Sequence, residues 1–193
     1  MRALLQRVER AEVRVGDEVT GAIGPGMLVL LGVGHGDDAA AAEGLARRVC
    51  ELRIFEDDQG RTNRSLLETG GEMLVVSQFT LYADTRRGRR PGFTDAAPPD
   101  VAEMLWRRFA AAVEAQGVRV GLGRFGAGMA VELVNDGPFT IWLDTADRRG
   151  TVGTPIAPDT MKPAAAVATG SEGRRVTRPR REDDRRVPRT RGA

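Results

Sequence analysis

The stretch Glu12-Val13-Arg14-Val15-Gly16-Asp17-Glu18-Val19-Thr20-Gly21-Ala22-Ile23 decides how the chain begins to fold. Val13 and Val15 alternate with Glu12 and Arg14, the period-two pattern of a strand with one buried face. Gly16-Asp17 is a two-residue hairpin signal, because glycine reaches the positive φ that such turns need. The chain is therefore expected to double back into a second strand, Glu18 to Ile23. Upstream, Ala3 to Val8 reads as a separate strand. Downstream, Gly24-Pro25-Gly26 turns the chain into Met27 to Val33, an unbroken apolar run that suits a strand buried on both faces.

Further along, Met73 to Val76 and Val131 to Val134 are apolar runs of strand length. Asp37 or Asp38 can cap a helix running to about Leu52, since Ala42, Leu45, Val49 and Leu52 recur at three- and four-residue spacing. A second helix follows Pro98-Pro99-Asp100, buries Val101, Leu105, Phe109 and Val113, and stops at Gly117. Two main helices among about seven strands, joined by hairpins instead of regular βαβ units, predict an α+β fold on a mainly antiparallel sheet.

Of the 193 residues, 41% are hydrophobic, enough for one packed domain. The longest apolar run, Met27 to Leu31, is far too short to span a bilayer. Met1 to Arg7 turns charged after three apolar residues and is no signal peptide. One cysteine, Cys50, cannot form an internal disulfide. These features suit a cytoplasmic protein.

The domain expected over residues 1–146 gives way to a segment, 147–193, rich in Pro, Ala, Thr, Gly and Arg. Such a composition buries too little surface to offset its ordering entropy, so disorder is expected there. Of 29 basic and 27 acidic residues, the stretch 151–193 holds 10 and 5, leaving 19 and 22 in residues 1–150. The pI near 9.3 thus belongs to the tail. A tail of this kind either binds RNA or is a solvated appendage.

Many chemistries are missing from the sequence. The single histidine, His35, sits in Gly34-His35-Gly36 and reads as a polar loop residue. There is no Cys/His metal set and no phosphate loop, so neither a metal nor another cofactor is expected. Cys50 lies on the apolar stripe of the first helix, and Asp57-Asp58 reads as a turn. Two motifs remain: Ser77-Gln78-Phe79-Thr80-Leu81 and Asn135-Asp136-Gly137-Pro138-Phe139-Thr140. Each ends or follows a buried strand, where freed backbone amides can meet a ligand. Read as residues alone, Ser77 and Thr80 equally suit hydrogen bonding at a strand end. Proline cannot donate to a ladder, so Pro138 should end or edge its strand. Taken alone, its bond to Gly137 should be trans.

The two motifs together resemble the D-aminoacyl-tRNA deacylases, and the similarity covers about residues 1–145, including Arg53-Ile54-Phe55 and Gly123-Arg124-Phe125-Gly126. The resemblance implies a barrel-like domain that hydrolyses the ester joining a D-amino acid, or glycine mischarged on tRNA(Ala), to tRNA. It implies that Ser77, Gln78, Phe79 and Thr80 form the catalytic pocket. Gly137 and Pro138, joined in cis, would aim two carbonyl oxygens at the substrate's α-carbon, where a D-residue offers hydrogen and an L-side chain collides. Arg7 would help fix those carbonyls, with Met129 near the pocket and Asn135 in the same motif. The loop would reach into a partner's site, which implies a homodimer. Phe139 stands where the family has valine, and should narrow the loop's surroundings without touching the carbonyls. Thr80 is a nucleophile candidate, but a hydroxyl with no base beside it is a weak one; backbone amides can stabilise the oxyanion instead.

Arg86, Arg87, Arg89 and Arg90 form the best local candidate for phosphate contact near the first motif. A charge run of this kind also suits a plain solvated loop. The alternative to an enzyme is a nucleic-acid-binding module that uses this loop and the tail. Deleting residues 151–193 separates the two: a deacylase keeps its turnover, whereas a tail-driven binder loses affinity for tRNA in a filter-binding titration.

Overall fold

The computed structural model describes residues 1–86 and 88–149, so the expectations for the tail beyond Arg149 and for Arg87 lie outside the described residues. The elements in chain order are β1 (Arg2–Val15), β2 (Glu18–Ile23), β3 (Gly26–Gly32), α1 (Ala39–Glu51), β4 (Phe55–Glu56) and β5 (Thr62–Arg64). They continue with α2 (Leu66–Thr69), β6 (Glu72–Ser77), a 3₁₀ turn (Phe79–Tyr82), α3 (Pro99–Glu114), β7 (Val120–Leu122), β8 (Ala130–Asp144) and a 3₁₀ turn (Ala146–Arg149).

Hairpin β1–β2 closes at Gly16, which takes φ 61°, with Val15 opposite Glu18. The two upstream strands expected from sequence are one. Glu9 and Arg10 are exposed and the register with β8 shifts by one between Val8 and Arg10, but the backbone stays paired with β8 on both sides of the shift, so β1 runs unbroken for 14 residues. Its first half pairs with β3 and its second half with β2, while β8 covers its other edge.

The sheet order is β2-β1-β3-β6-β7, with β8 on β1. The sheet is less purely antiparallel than the hairpins imply, because β3–β6 and β6–β7 are parallel. Each of these pairs needs a crossover, and the chain segments that supply them contain α1 and α3. Buried on both sides, β3 and β6 therefore read as continuous apolar runs.

Alternation on these strands divides the interior in two. Met27, Val29, Leu31, Met73 and Val75 face α1 and α3 and pack with Leu45, Val49, Leu105, Phe109 and Val113. Leu28, Leu74 and Val76 point the other way and pack with Val8, Val13 and Ile23. The sheet curls until β2 meets β7. A Cβ on Gly21 would stand 2.6 Å from the carbonyl oxygen of Leu122 and 2.9 Å from its nitrogen. The near-closed barrel thus depends on a glycine where two backbones approach.

Of the two candidate caps, Asp38 caps α1, its Oδ1 accepting from Ala41 N at 2.8 Å. Asp37 accepts instead from Gly34 N at 2.7 Å and from the Tyr82 hydroxyl at 3.3 Å. Among the described residues no helix is long and apolar enough to cross a membrane.

Two alanine substitutions test this packing. Gly44→Ala, on α1 where a Cβ meets nothing within 4 Å, should raise stability by about 1 kcal/mol. Gly21→Ala should lower it by about 2 kcal/mol or more, because backbone has to move. Urea denaturation measures both.

Candidate active site

Strand β6 ends at Ser77, which is paired in register with Leu31 of β3. Gln78 N–H still donates to Leu31 O at 2.8 Å, and the chain then breaks into the 3₁₀ turn. A helical turn leaves its first N–H groups without an internal partner. Here these belong to Phe79 and Thr80, and Gln78 offers them no side-chain cap. The Gln78 amide donates instead to the Thr80 hydroxyl oxygen. That bond occupies one of the two lone pairs of the hydroxyl, and among the described residues the hydroxyl donates to no base.

Ser77, Gln78 and Phe79 open onto a cavity of about 550 Å³ at the carboxyl ends of β3 and β6. Its wall continues through Leu31, Val33, Phe93, Trp106 and Phe125, and the rings of Phe79 and Phe93 meet edge to face at 4.9 Å. The volume and apolar lining suit a small ligand. A roomier hollow of about 710 Å³ lies near Gly24 and Glu72; of its charged groups, Glu72 and Arg119 are paired at 2.6 Å and Glu56 lies 4.0 Å from Arg7. Thr80 is exposed beside the aromatic cavity and is not part of its wall.

The second motif is built by a mismatch of register. Asn135 stands opposite Val8 and Thr140 opposite Gln6, so Asp136, Gly137, Pro138 and Phe139 all face one residue, Arg7. The four loop out, and the Gly137–Pro138 bond is cis. Pro138 therefore sits inside the span of β8, not at its end, and avoids the ladder by bulging out of it.

Arg7 is only 3% exposed, a buried cation and not a surface charge. Its Nε lies 2.7 Å from Asp136 Oδ2, and its Nη2 donates to Asp136 Oδ1 at 3.1 Å and to Gly137 O at 3.3 Å. Nη1 donates to Ile54 O at 2.6 Å. The guanidinium lies over the Phe139 ring at 4.4 Å, so Phe139 acts on the loop through Arg7. Asn135 Nδ2 donates to Arg7 O at 2.8 Å and to Phe139 O at 3.3 Å, tying the two ends of the loop together.

The two motifs do not meet within one chain. Asn135, Val8, Gly26 and Glu72 lie in one row across the sheet, and Leu143, Ala3, Leu31 and Ser77 in another. The rows are separated by the run from Glu72 to Ser77, about 17 Å along the strands. Met129 packs against the second core cluster and does not itself line the cavity. Its sulfur fills the space over Gly123, which is why it faces inward.

Arg86 forms a fork with Asp84, at 2.8 Å from both Nε and Nη2, while Arg89 and Arg90 are exposed. The bridge between Asp84 and Gly92 closes this loop beside the first motif. Sequence reasoning missed His35, Phe93, Trp106 and Phe125 as parts of one wall. His35 is held by its backbone N–H to Asp95 O at 3.2 Å, a contact between segments 60 residues apart.

The remaining nucleophile and carboxylate candidates carry no chemistry. Burial raises the Cys50 thiol to about 11, so it stays protonated near neutrality. Asp57 accepts the N–H groups of Arg61 and Gln59, which with the Arg61 side chain hold its carboxyl down at about 2. No group of three or more potential metal ligands occurs among the described residues.

A family model described as D-Tyr-tRNA(Tyr) deacylase matches residues 4–144. The D-aminoacyl-tRNA deacylase of Roseiflexus sp. (strain RS-1) is 64% identical over 146 residues, covering 76% of this chain and 94% of that protein. The protein of the same name from Thermomicrobium roseum is 60% identical over 150 residues, covering 78% and 97%. A solved structure titled c-Myc DNA Unwinding Element Binding Protein superposes with TM-score 0.71 at 40% identity, covering 75% of this chain and 99% of that one. A probable eukaryotic D-amino acid tRNA deacylase, at 22% identity and TM-score 0.64, shares the fold, covering 74% and 97%. The chain belongs to the D-Tyr-tRNA(Tyr) deacylase family.

Proposed function

We propose that this protein hydrolyses D-aminoacyl-tRNA, and glycine mischarged on tRNA(Ala), and spares L-aminoacyl esters. The observation that carries the reading is the pair of uncapped N–H groups, Phe79 and Thr80, at the rim of an aromatic cavity. The terminal adenosine of tRNA enters that cavity, stacking on the exposed Phe79 and on Phe93. The ester carbonyl then lies against the two amides, which stabilise the oxyanion as water adds. The neighbouring ribose hydroxyl orients the water, the bond from the carbonyl carbon to the ribose oxygen breaks, and the water's proton passes to that oxygen. The products are free D-amino acid and tRNA.

Chiral discrimination belongs in this reading to Gly137 and Pro138 of a second subunit. The separation of the motifs along one chain supports it, because a single copy leaves the first motif without its screen. A twofold dimer supplies two complete sites. The Arg7 fork, which donates to the carbonyl oxygens of Asp136 and Gly137, holds the loop. Arg89 and Arg90, exposed in the loop beside the first motif, are available for acceptor-stem phosphates.

Hydrolysis of D-Tyr-tRNA and L-Tyr-tRNA, measured side by side with purified protein, tests the reaction. The D-ester should disappear and the L-ester persist; cleavage of neither rejects the reading. Arg7→Lys keeps the charge but loses the fork. It should retain D-ester hydrolysis while L-ester cleavage rises about tenfold. Thr80→Val should keep turnover within about tenfold, since the backbone amide remains. A far larger fall in kcat at unchanged KM would assign chemistry to the hydroxyl.

A further inference from the structure

Arg2 stands opposite Asp144 on β8 and opposite Gly32 on β3, so the three residues form one row across the sheet. Residues paired in this way point to the same face. On that face the 3₁₀ turn Phe79–Tyr82 lies over Gly32: a Cβ there would stand 3.0 Å from Gln78 O, 3.2 Å from the Tyr82 ring and 3.3 Å from Leu81 Cβ. The missing side chain makes the seat, and Arg2 reaches the turn from beside it. Its Nη1 donates to Leu81 O at 2.9 Å, its Nε to Asp144 Oδ2 at 3.0 Å, and its guanidinium covers the Tyr82 ring at 4.3 Å. Asp144 is itself held, its Oδ1 accepting from Ala146 N at 2.9 Å. The Tyr82 ring also packs against Gly34, where a Cβ would come within 2.5 Å of it.

The turn needs such an anchor. A single 3₁₀ turn makes too few bonds of its own to fix its orientation. The last carbonyl groups of a helical turn lack internal partners, and an arginine both satisfies one and complements the dipole of the turn. At a rise of about 2 Å per residue, Leu81 lies only about 4 Å along the turn from Phe79. Fixing the carbonyl of Leu81 therefore fixes where the free amides of Phe79 and Thr80 point.

We propose that Arg2 is a positioning residue for ester hydrolysis: it anchors the turn at Leu81 so that the N–H groups of Phe79 and Thr80 meet the oxyanion. This rests on the preceding reading of those two amides. Arg2 is not a phosphate contact, because Asp144 pairs with it and two of its donors are used within the chain, whereas Arg89 and Arg90 are exposed. Oxyanion contacts act in the transition state and depend steeply on distance. Displacing the turn should therefore lower kcat and leave binding in the cavity alone.

Arg2→Ala and Arg2→Lys in the full-length protein are compared with the wild type on D-Tyr-tRNA, at a temperature where urea denaturation shows each still folded. Arg2→Ala should lower kcat about thirtyfold with KM within about twofold. Arg2→Lys keeps the charge but lacks the planar fork, and should fall between the two. Methylguanidine should raise the turnover of Arg2→Ala several-fold and leave the wild type unchanged, a response that a general loss of packing would not give. In ¹⁵N-labelled protein the amide signals of Phe79 and Thr80 should move in Arg2→Ala, while those of Trp106 and Phe109 on α3 stay in place. The proposal is overturned if Arg2→Ala keeps the wild-type kcat. It is equally overturned if KM rises about tenfold at unchanged kcat, which would make Arg2 a phosphate contact after all. Either result, with the wild type hydrolysing D-Tyr-tRNA, rejects the role of Arg2 alone. Wild-type protein that cleaves no ester rejects the reaction instead, and the Phe79 and Thr80 signals then decide whether Arg2 holds the turn; signals unmoved in Arg2→Ala overturn that as well.

Discussion

The backbone pairing of β1 is the constraint on which the rest of the structure depends. One strand of 14 residues serves β3 and then β2 on one edge and β8 along the other. Because it changes partners midway, the sheet has to curl, and the curl brings β2 to within backbone contact of β7 at Gly21. The same strand places both motifs. Its first residues set the height of Ser77 through Leu31, and Arg7 stands opposite the expelled Gly137 and Pro138.

Arg7 shows how an irregular loop is made definite. A buried guanidinium is costly unless its donors are used. Arg7 spends them on one carboxylate and on the carbonyl oxygens of Ile54, Asp136 and Gly137. Four residues that leave a ladder would otherwise lose their backbone partners to water. With Arg7 beneath and Asn135 across the neck, three of those carbonyls have partners inside the protein. The first motif works the other way. There the ladder ends, Gln78 turns to Thr80 in place of capping the turn, and two amides remain available at the edge of an apolar cavity. One motif is closed by its own hydrogen bonds, the other leaves two amides free at the edge of a cavity.

Much of the fold was legible in local sequence. Gly16-Asp17 announced its hairpin, the three- and four-residue spacing of Leu45 and Val49 announced α1, and Pro98-Pro99-Asp100 announced α3. These signals rest on interactions within a few residues of each other. The join of Ala3–Val8 to Glu12–Val15 was not legible, because exposed Glu9 and Arg10 interrupt the apolar pattern while β8, more than 120 residues away, keeps the backbone paired. Parallel pairing was hidden for the same reason: β3 and β6 meet only after a crossover, and an apolar run carries no direction. Residues of the first motif could be singled out, but the cavity wall could not, since His35, Phe93, Trp106 and Phe125 come from four separate segments.

The sequence by itself determined the elements, the turn chemistry and the two polar motifs, and through their resemblance the family to which the chain belongs. Hairpin glycines, helical spacing and strand-end polar residues act over a few neighbours and need nothing else to be read. Tertiary structure alone decided that Arg7 is buried, that Met129 turns into the core, that the motifs stand at opposite ends of one sheet, and that the Trp106 indole N–H is buried with no partner among the described residues. Each of those facts depends on which distant strand lies alongside and on whether a polar atom finds a partner there. Only the register of the completed sheet determines either.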